Sequence, residues 1–261
     1  MEHEPYERLD LTGRAVIVTG AGNGMGRATA LLVAARGASV LVADVNETGG
    51  RDTVAAITAA GGSGLFQRVD VSAEDQVAAM VDRAVAEFGR LDGAFNNAGV
   101  AGEVRPVAEM PTAGWQRTIA INLTGTFYCV KYETAYMLAH GGGSIVNTSS
   151  GAAVVVARPG QTDYVASKEG VIGLTKAASM DYAARGIRVN AILPGMVETG
   201  MTQSAIEHDS AQTKALALGQ PIGRWGQPAE IAEAAAWLLS DAASFVTGAA
   251  LCVDGGYSSG R

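Results

Sequence analysis

Tyr164 and Lys168 stand four residues apart in Tyr-Val-Ala-Ser-Lys, at the start of a long stretch with helical patterning. Residues at that spacing share one face of a helix. A free phenol titrates near about 10 and is a poor base at neutral pH. An ammonium beside it favours the phenolate, and tuning toward the working pH is what general acid/base catalysis requires. Two hydroxyls, Ser149 and Ser150, precede the tyrosine by fifteen and fourteen residues, at the end of an apolar run. Further upstream, Thr19-Gly20-Ala21-Gly22-Asn23-Gly24-Met25-Gly26 follows a short β-branched segment and runs into a helical one. Glycines there allow backbone to approach a pyrophosphate, and the helix N-terminus offers it unpaired N–H groups. The spacing is T-G-x-x-x-G-x-G and not G-x-G-x-x-G, since Met25 and Arg27 occupy the places of a third glycine. Asp44 lies eighteen residues beyond Gly26. A carboxylate at that point can accept from a ribose diol and would repel a 2′-phosphate.

Short β-branched runs alternate with Ala-rich helical patterns, the signature of repeated βα units on a parallel sheet. The pattern predicts strands near 14–19, 39–43, 64–69, 91–95, 144–149, 187–193 and 249–253. Helices are expected over 24–36, 47–60, 73–88, 112–138, 162–184 and 228–239, with another between Thr199 and Leu218. Gly37, Gly61, Gly89 and Gly186 follow helical runs where a left-handed residue closes the last turn. Ser72 and Gln227-Pro228 read as helix starts. No Pro/Ser-rich linker or internal repeat interrupts the alternation, so a single α/β doubly wound domain is expected, with ligands at the carboxyl edge of its strands.

The ordered motifs from about residue 11 to 257 resemble the short-chain dehydrogenase/reductase family, in its compact single-domain branch. They are the glycine turn, Asn96-Asn97-Ala98-Gly99, Tyr164-x-x-x-Lys168, Pro194-Gly195-Met196-Val197-Glu198-Thr199 and the tail Val253-Asp254-Gly255-Gly256. The resemblance implies a Rossmann fold with a seven-stranded parallel sheet and hydride transfer between a nicotinamide and a carbon bearing hydroxyl or keto oxygen. Gly20, Asn23, Gly24, Met25 and Gly26 would hold the pyrophosphate, Asp44 the adenosine ribose, and Asp70 with Val71 the adenine. Asn97, Ala98 and Gly99 would line the ribose. Pro194, Gly195, Val197 and Thr199 would hold the carboxamide, and a substrate lid would occupy about 196–219.

In the same family a tyrosine placed like Tyr164 exchanges the proton, and a lysine placed like Lys168 lowers its pKa and binds the nicotinamide ribose. A serine steadies the substrate oxygen. That serine is Ser150 if the loop before Tyr164 is one residue longer than the family pattern, with Ser149 as the alternative. Asn122 would hold a water in a proton path, although a satisfied core amide is the plainer account. NAD is expected over NADP, because Asn23 and Val45 stand where NADP-preferring members carry basic residues; Arg14 and Arg51 are the reservations. Family members are commonly homotetramers built through the long helices and the last strand; Trp237-Leu238-Leu239 and Phe245 would supply contacts or core. The branch that reduces enoyl double bonds spaces its tyrosine and lysine further apart, which disfavours that reading. A catalytically idle NAD(H)-binding scaffold would be expected to have lost Ser, Tyr or Lys.

Composition narrows the partners. The 261 residues carry a formal charge of −7 without a basic stripe, so nucleic acid is an improbable ligand. No apolar run approaches the ~20 residues of a membrane span, and the acidic start is unlike a signal peptide, so a soluble cytoplasmic protein is expected. Cys129 and Cys252 sit in apolar segments and read as buried, reduced thiols. His3, His140 and His208 are scattered, suggesting no metal. Ala152 to Val156, Gln161, Met196 and Met201 to Ile206 are the expected pocket lining, mainly apolar, which points to an uncharged secondary alcohol or ketone of moderate size as substrate.

Overall fold

The computed structural model describes residues 9–155, 159–200, 202 and 219–259. Seven parallel strands form one sheet in the order β3-β2-β1-β4-β5-β6-β7. They are β1 (Ala15–Thr19), β2 (Ser39–Asp44), β3 (Ser63–Arg68), β4 (Gly93–Asn96), β5 (Gly143–Thr148), β6 (Ile187–Pro194) and β7 (Ala250–Val253). Between them run α1 (Gly24–Ala35), α2 (Glu47–Ala59), α3 (Glu74–Phe88), α4 (Thr112–Ile119), α5 (Gly125–Ala139), α6 (Thr162–Tyr182) and α7 (Pro228–Leu239). Every expected strand is present, and so is every expected helix within the described residues but the one over 112–138, which is divided. The helix expected between Thr199 and Leu218 lies largely outside them, as do Val156, Met201, Ile206, His3 and His208.

Alternation of side chains along each strand divides the core in two. Val16, Val18, Val40 and Val42 point to a cluster with Val33 of α1, Ile57 of α2 and Leu238 of α7. Ile17 and Leu41 point to the other face, against Met80 of α3, Val130 of α5 and Ala178 of α6. A sheet covered on both faces needs strands that are apolar throughout, and β1 is buried at all five positions. The chain winds outward from β1 in both directions, so β1 and β4 become neighbours with diverging connections, the place where such sheets bind ligands.

Three expectations change. The helix foreseen over 112–138 is interrupted: Ala120–Thr124 form a π turn between α4 and α5, with Asn122 inside it. Ser72 does not cap α3; that position is Ala73, and Ser72 donates to Asp70 Oδ1 instead. Cys129 is buried, but Cys252 is exposed, because β7 is the sheet's outer strand and its alternate residues face away from the core. Leu238 and Leu239 belong to the core, whereas Phe245 is fully exposed. Among the described residues no helix is long and apolar enough to cross a membrane.

Candidate active site

All the sequence motifs converge on the carboxyl edge of the sheet. Behind β1 the chain turns through Gly20 and Gly24, both at positive φ (63° and 52°), into α1. The turn has no room for side chains. A methyl at Gly20 would fall 2.9 Å from the Ala98 backbone, and one at Gly26 would fall 2.2 Å from the Gly20 carbonyl oxygen. Asn97 closes this contact from β4, its Nδ2 donating to the carbonyls of Thr19 and Gly20, while Thr19 Oγ1 accepts from the backbone N–H groups of Asn97 and Ala98. Glycine turn and N-N-A-G segment are therefore one unit.

Asp44 ends β2 beside that turn. Its Oδ2 accepts from Gly22 N and its Oδ1 from Asn46 N, both at 2.8 Å. Each oxygen keeps a second lone pair for a ligand hydroxyl. The two arginines that weighed against NAD are engaged elsewhere: Arg51 with Glu47 and Arg14 with Asp241. Asp70 sits at the end of β3, accepting from Ser72, and Val71 packs its side chain against Gly125 at the start of α5. On the opposite flank, the segment after β6 reaches the glycine turn, with Thr199 3.2 Å from where a Gly24 methyl would lie. That segment is anchored by Gln220, whose Oε1 accepts from Met196 N at 2.7 Å, and by Glu198 N donating to Gly226 O.

The side chains that the sequence singles out for acid/base chemistry meet between β5, α6 and the π turn. Lys168 is buried and donates its ammonium to Thr148 O at 2.8 Å, with Nζ 5.8 Å from the centre of the Tyr164 ring. Burial lowers the lysine pKa to about 8, so it keeps most of its charge at neutral pH. The two serines separate clearly. Ser149 is buried and spends its hydroxyl hydrogen on Lys168 O at 2.7 Å, fastening β5 to α6. Ser150 is half-buried, and its Oγ accepts from Ala152 N in the short turn it caps. Its hydrogen is donated to no partner among the described residues.

Asn122 is fully buried, and its amide is spent. Oδ1 accepts from Val100 N, while Nδ2 donates to Val100 O and Ser167 Oγ. Its backbone carbonyl accepts from Thr126 Oγ1. Gly99 lies between these groups: a methyl there would be 3.1 Å from Asn122 Oδ1 and 3.5 Å from Lys168 Nζ.

Two buried carboxyls escaped the sequence reading. Asp163, next to Tyr164, accepts from Thr118 Oγ1, Tyr164 N and Glu103 N, and Gly102 (φ 74°) passes so close that a side chain there would strike the carboxylate. It fastens the chain after β4 to the start of α6. At that place an acidic residue reads as an ordinary first-turn helix residue. Glu133, in α5, lies in a helix whose apolar and polar residues show no clear face. A cavity of about 400 Å³ opens beside Met196, Val197, Gln220, Cys252 and Asp254, and none of Ser150, Tyr164 and Lys168 lines it.

This arrangement has close counterparts. The family model described as enoyl-(acyl carrier protein) reductase matches residues 20–258. The 2,5-dichloro-2,5-cyclohexadiene-1,4-diol dehydrogenase of Sphingobium indicum is 48% identical over 250 residues, covering 95% of this chain and 98% of its own. The cis-4-hydroxycyclohexanecarboxylate dehydrogenase of Sinomonas cyclohexanicum is 49% identical over 247 residues, covering 94% and 96%. Among solved structures, levodione reductase superposes with a TM-score of 0.91 at 36% identity, covering 96% and 99%. A putative 2-deoxy-d-gluconate 3-dehydrogenase from Agrobacterium tumefaciens with bound NADP does so at 0.88 and 35%, covering 97% and 99%. With its parallel sheet, its glycine turn against Asn97 and its Tyr164–Lys168 helix, this chain belongs to the short-chain dehydrogenase/reductase family of oxidoreductases.

Proposed function

We propose that the protein is an NAD-dependent dehydrogenase of uncharged secondary alcohols, with alicyclic alcohols and the matching ketones as its substrate class. The observation that carries the chemistry is the phenol of Tyr164 held beside a buried ammonium whose own position is fixed by Thr148 O at 2.8 Å. The ring preference is supported by relatives named as dehydrogenases of a cyclohexadienediol and of a hydroxycyclohexanecarboxylate, which share the ring; the diol alone is uncharged. The i, i+4 spacing of tyrosine and lysine supports action on CH–OH and not on an enoyl double bond.

The residues present fit a dinucleotide: the glycine turn leads into the N-terminus of α1, whose first N–H groups no side chain among the described residues caps, and Asp44 has acceptor capacity to spare for a ribose. When bound, the nicotinamide supplies the hydride acceptor, or the donor in the reverse direction. Gly20, Asn23, Gly24, Met25 and Gly26 would hold the pyrophosphate, Asp44 the adenosine ribose, Asp70 and Val71 the adenine. Asn97, Ala98 and Gly99 would border the ribose, and Pro194, Gly195, Val197 and Thr199 the carboxamide. Asp44 favours NAD, since a 2′-phosphate would meet its carboxylate.

In oxidation, Tyr164 takes the hydroxyl proton from the substrate while Ser150 donates its free hydrogen to the same oxygen. Lys168 stabilises the phenolate by its charge. Asn122 fixes the strand-end segment around Val100 beside Lys168 and borders the route by which a proton returns to solvent. A homotetramer belongs to the same proposal, supported by the exposed side chains of Met180 and Phe245.

A panel of alcohols assayed with NAD and NADP, for the wild type and Tyr164→Phe, tests this reading. Cyclohexanol-like substrates are expected to turn over with NAD. Tyr164→Phe is expected to lower kcat by about 10²–10⁴, the range for a removed acid/base group. A variant that kept most of its activity would exclude Tyr164 as the base.

A further inference from the structure

Glu133 of α5 has no solvent exposure, and among the described residues it enters no ion pair. Its Oε2 accepts from Asn96 Nδ2 at 2.9 Å; the second hydrogen of that amide goes to Asn147 Oδ1 at 3.0 Å, and Asn147 Nδ2 donates to Thr175 Oγ1 at 3.0 Å. The chain of bonds thus crosses α5, β4, β5 and α6. With both hydrogens of the Asn96 amide spent, two buried oxygens are left without a donor: Glu133 Oε1 and Asn96 Oδ1. A buried acceptor without a donor forfeits its hydration for nothing. A single proton placed on Glu133 supplies what both lack.

Among the described residues the surroundings offer no other source of compensation. On α5 itself, the Cys129 thiol is pushed up by burial and by Glu133, and is neutral; Lys131 turns outward to Glu74 of α3. The remaining charges of α3, Asp75, Asp82, Arg83 and Glu87, are exposed, as are Glu169 and Lys176 of α6. Lys168, the buried cation of α6, is turned to Thr148 O and the Tyr164 ring. Burial raises the Glu133 carboxyl to about 8, opposed only by the Asn96 bond.

We infer that Glu133 is a positioning residue held in its protonated form, its Oε1–H donating to the Asn96 amide oxygen and locking the carboxyl ends of β4 and β5 together. Those ends continue directly into Asn97, which closes the glycine turn, and Thr148, whose carbonyl holds Lys168. The protonation stands independently of the catalytic reading; only its effect on turnover rests on the roles of Lys168 and Tyr164.

Infrared difference spectra of the full chain, wild type minus Glu133→Gln at neutral pH, are expected to contain the carbonyl band of a protonated carboxylic acid. Carboxylate bands in its place overturn the proposal. Denaturant titrations across pH give a second readout. The folded-state pKa lies above the ordinary 4.5, so the folded chain retains a proton that the unfolded chain releases. Relative to Glu133→Gln, the wild type is expected to be most stable below about 4.5, to lose ground as pH rises through about 8, and to level off above it. Curves that run parallel would reject the assignment. Glutamine restores the donor as N–H, so Glu133→Gln should keep kcat within about twofold, whereas Glu133→Met should lower it ~10-fold, as misplacement of a catalytic group does. An unchanged kcat in Glu133→Met removes the positioning role, and if that variant does not fold, the first two measurements decide. Should Tyr164→Phe prove active, the infrared and stability readouts still judge Glu133 alone.

Discussion

The two halves of the site are held in place by opposite means. At the cofactor end, position is set by what is missing: Gly20 and Gly26 let the Gly20 carbonyl, α1 and the Asn97–Ala98 backbone approach to distances that a single methyl would violate. At the catalytic end, position is set by polar side chains taken out of water and hydrogen-bonded to neighbouring elements, among them Ser149, Asn122, Asp163 and Lys168. The first device tolerates no added atom. The second tolerates no lost hydrogen bond, because each partner left behind is buried.

Adjacent serines provide the sharpest contrast and the largest expected effect. Ser150 has a hydrogen to give and Ser149 has none, so Ser150→Ala is expected to lower kcat by about 10²–10³, as loss of one donor to a developing oxyanion does, with little change in melting temperature. Ser149→Ala should do the reverse, costing about 0.5–1.5 kcal/mol of stability by removing the hydrogen bond that ties the end of β5 to the Lys168 carbonyl while the chemistry of correctly folded protein persists. Paired kcat and thermal-unfolding measurements decide. A collapse of kcat in Ser149→Ala with Ser150→Ala near wild type would exchange the two roles.

Gly26→Ala probes the other half. Its methyl would lie 2.2 Å from the Gly20 oxygen, so α1 must move away from the turn, at a cost of about 1–3 kcal/mol for an overpacked contact. The KM for NAD should rise ~10-fold or more while kcat at saturating cofactor stays within a small factor, since an Å-scale shift of a binding turn weakens binding before it disturbs the distant phenol. Equal losses in both constants would mean that the two ends of the site are not mechanically separate.

The same contrast explains what was legible in the sequence. Absence of side chains is visible as glycine, and a run such as Thr19 to Gly26 announces its turn; so do the alternating strands, whose period is dictated by burial on both faces. Reactive pairs at i, i+4 are visible too. Ser149 and Ser150 could not be told apart by spacing, because the distinction depends on which hydroxyl the α6 carbonyl claims across the sheet. Asp163 and Glu133 were missed for a related reason: a carboxyl at a helix start or within a mixed helix looks solvated until its long-range partners Thr118 and Asn96 are known. The π turn at Asn122 left no mark on a continuous helical pattern, and the exposure of Cys252 followed from β7 being an outer strand, which apolar composition does not encode.

The smallest expected effect lies where the two devices overlap, at Asp44, a side chain that supports the glycine turn through Gly22 N and, in the proposed function, would hold the ribose. Asp44→Ala removes both contributions, so NAD turnover alone cannot distinguish them. The informative quantity is the ratio of kcat/KM for NAD to that for NADP. Loss of turn support weakens both cofactors alike, whereas loss of the carboxylate relieves a repulsion that only the 2′-phosphate meets. The ratio should therefore fall ~10-fold or more, given the several kcal/mol of a like-charge contact, and the fall should shrink with rising salt as screening takes over the role of the deletion. An unchanged ratio would reduce Asp44 to a brace for the turn and withdraw the reason for preferring NAD.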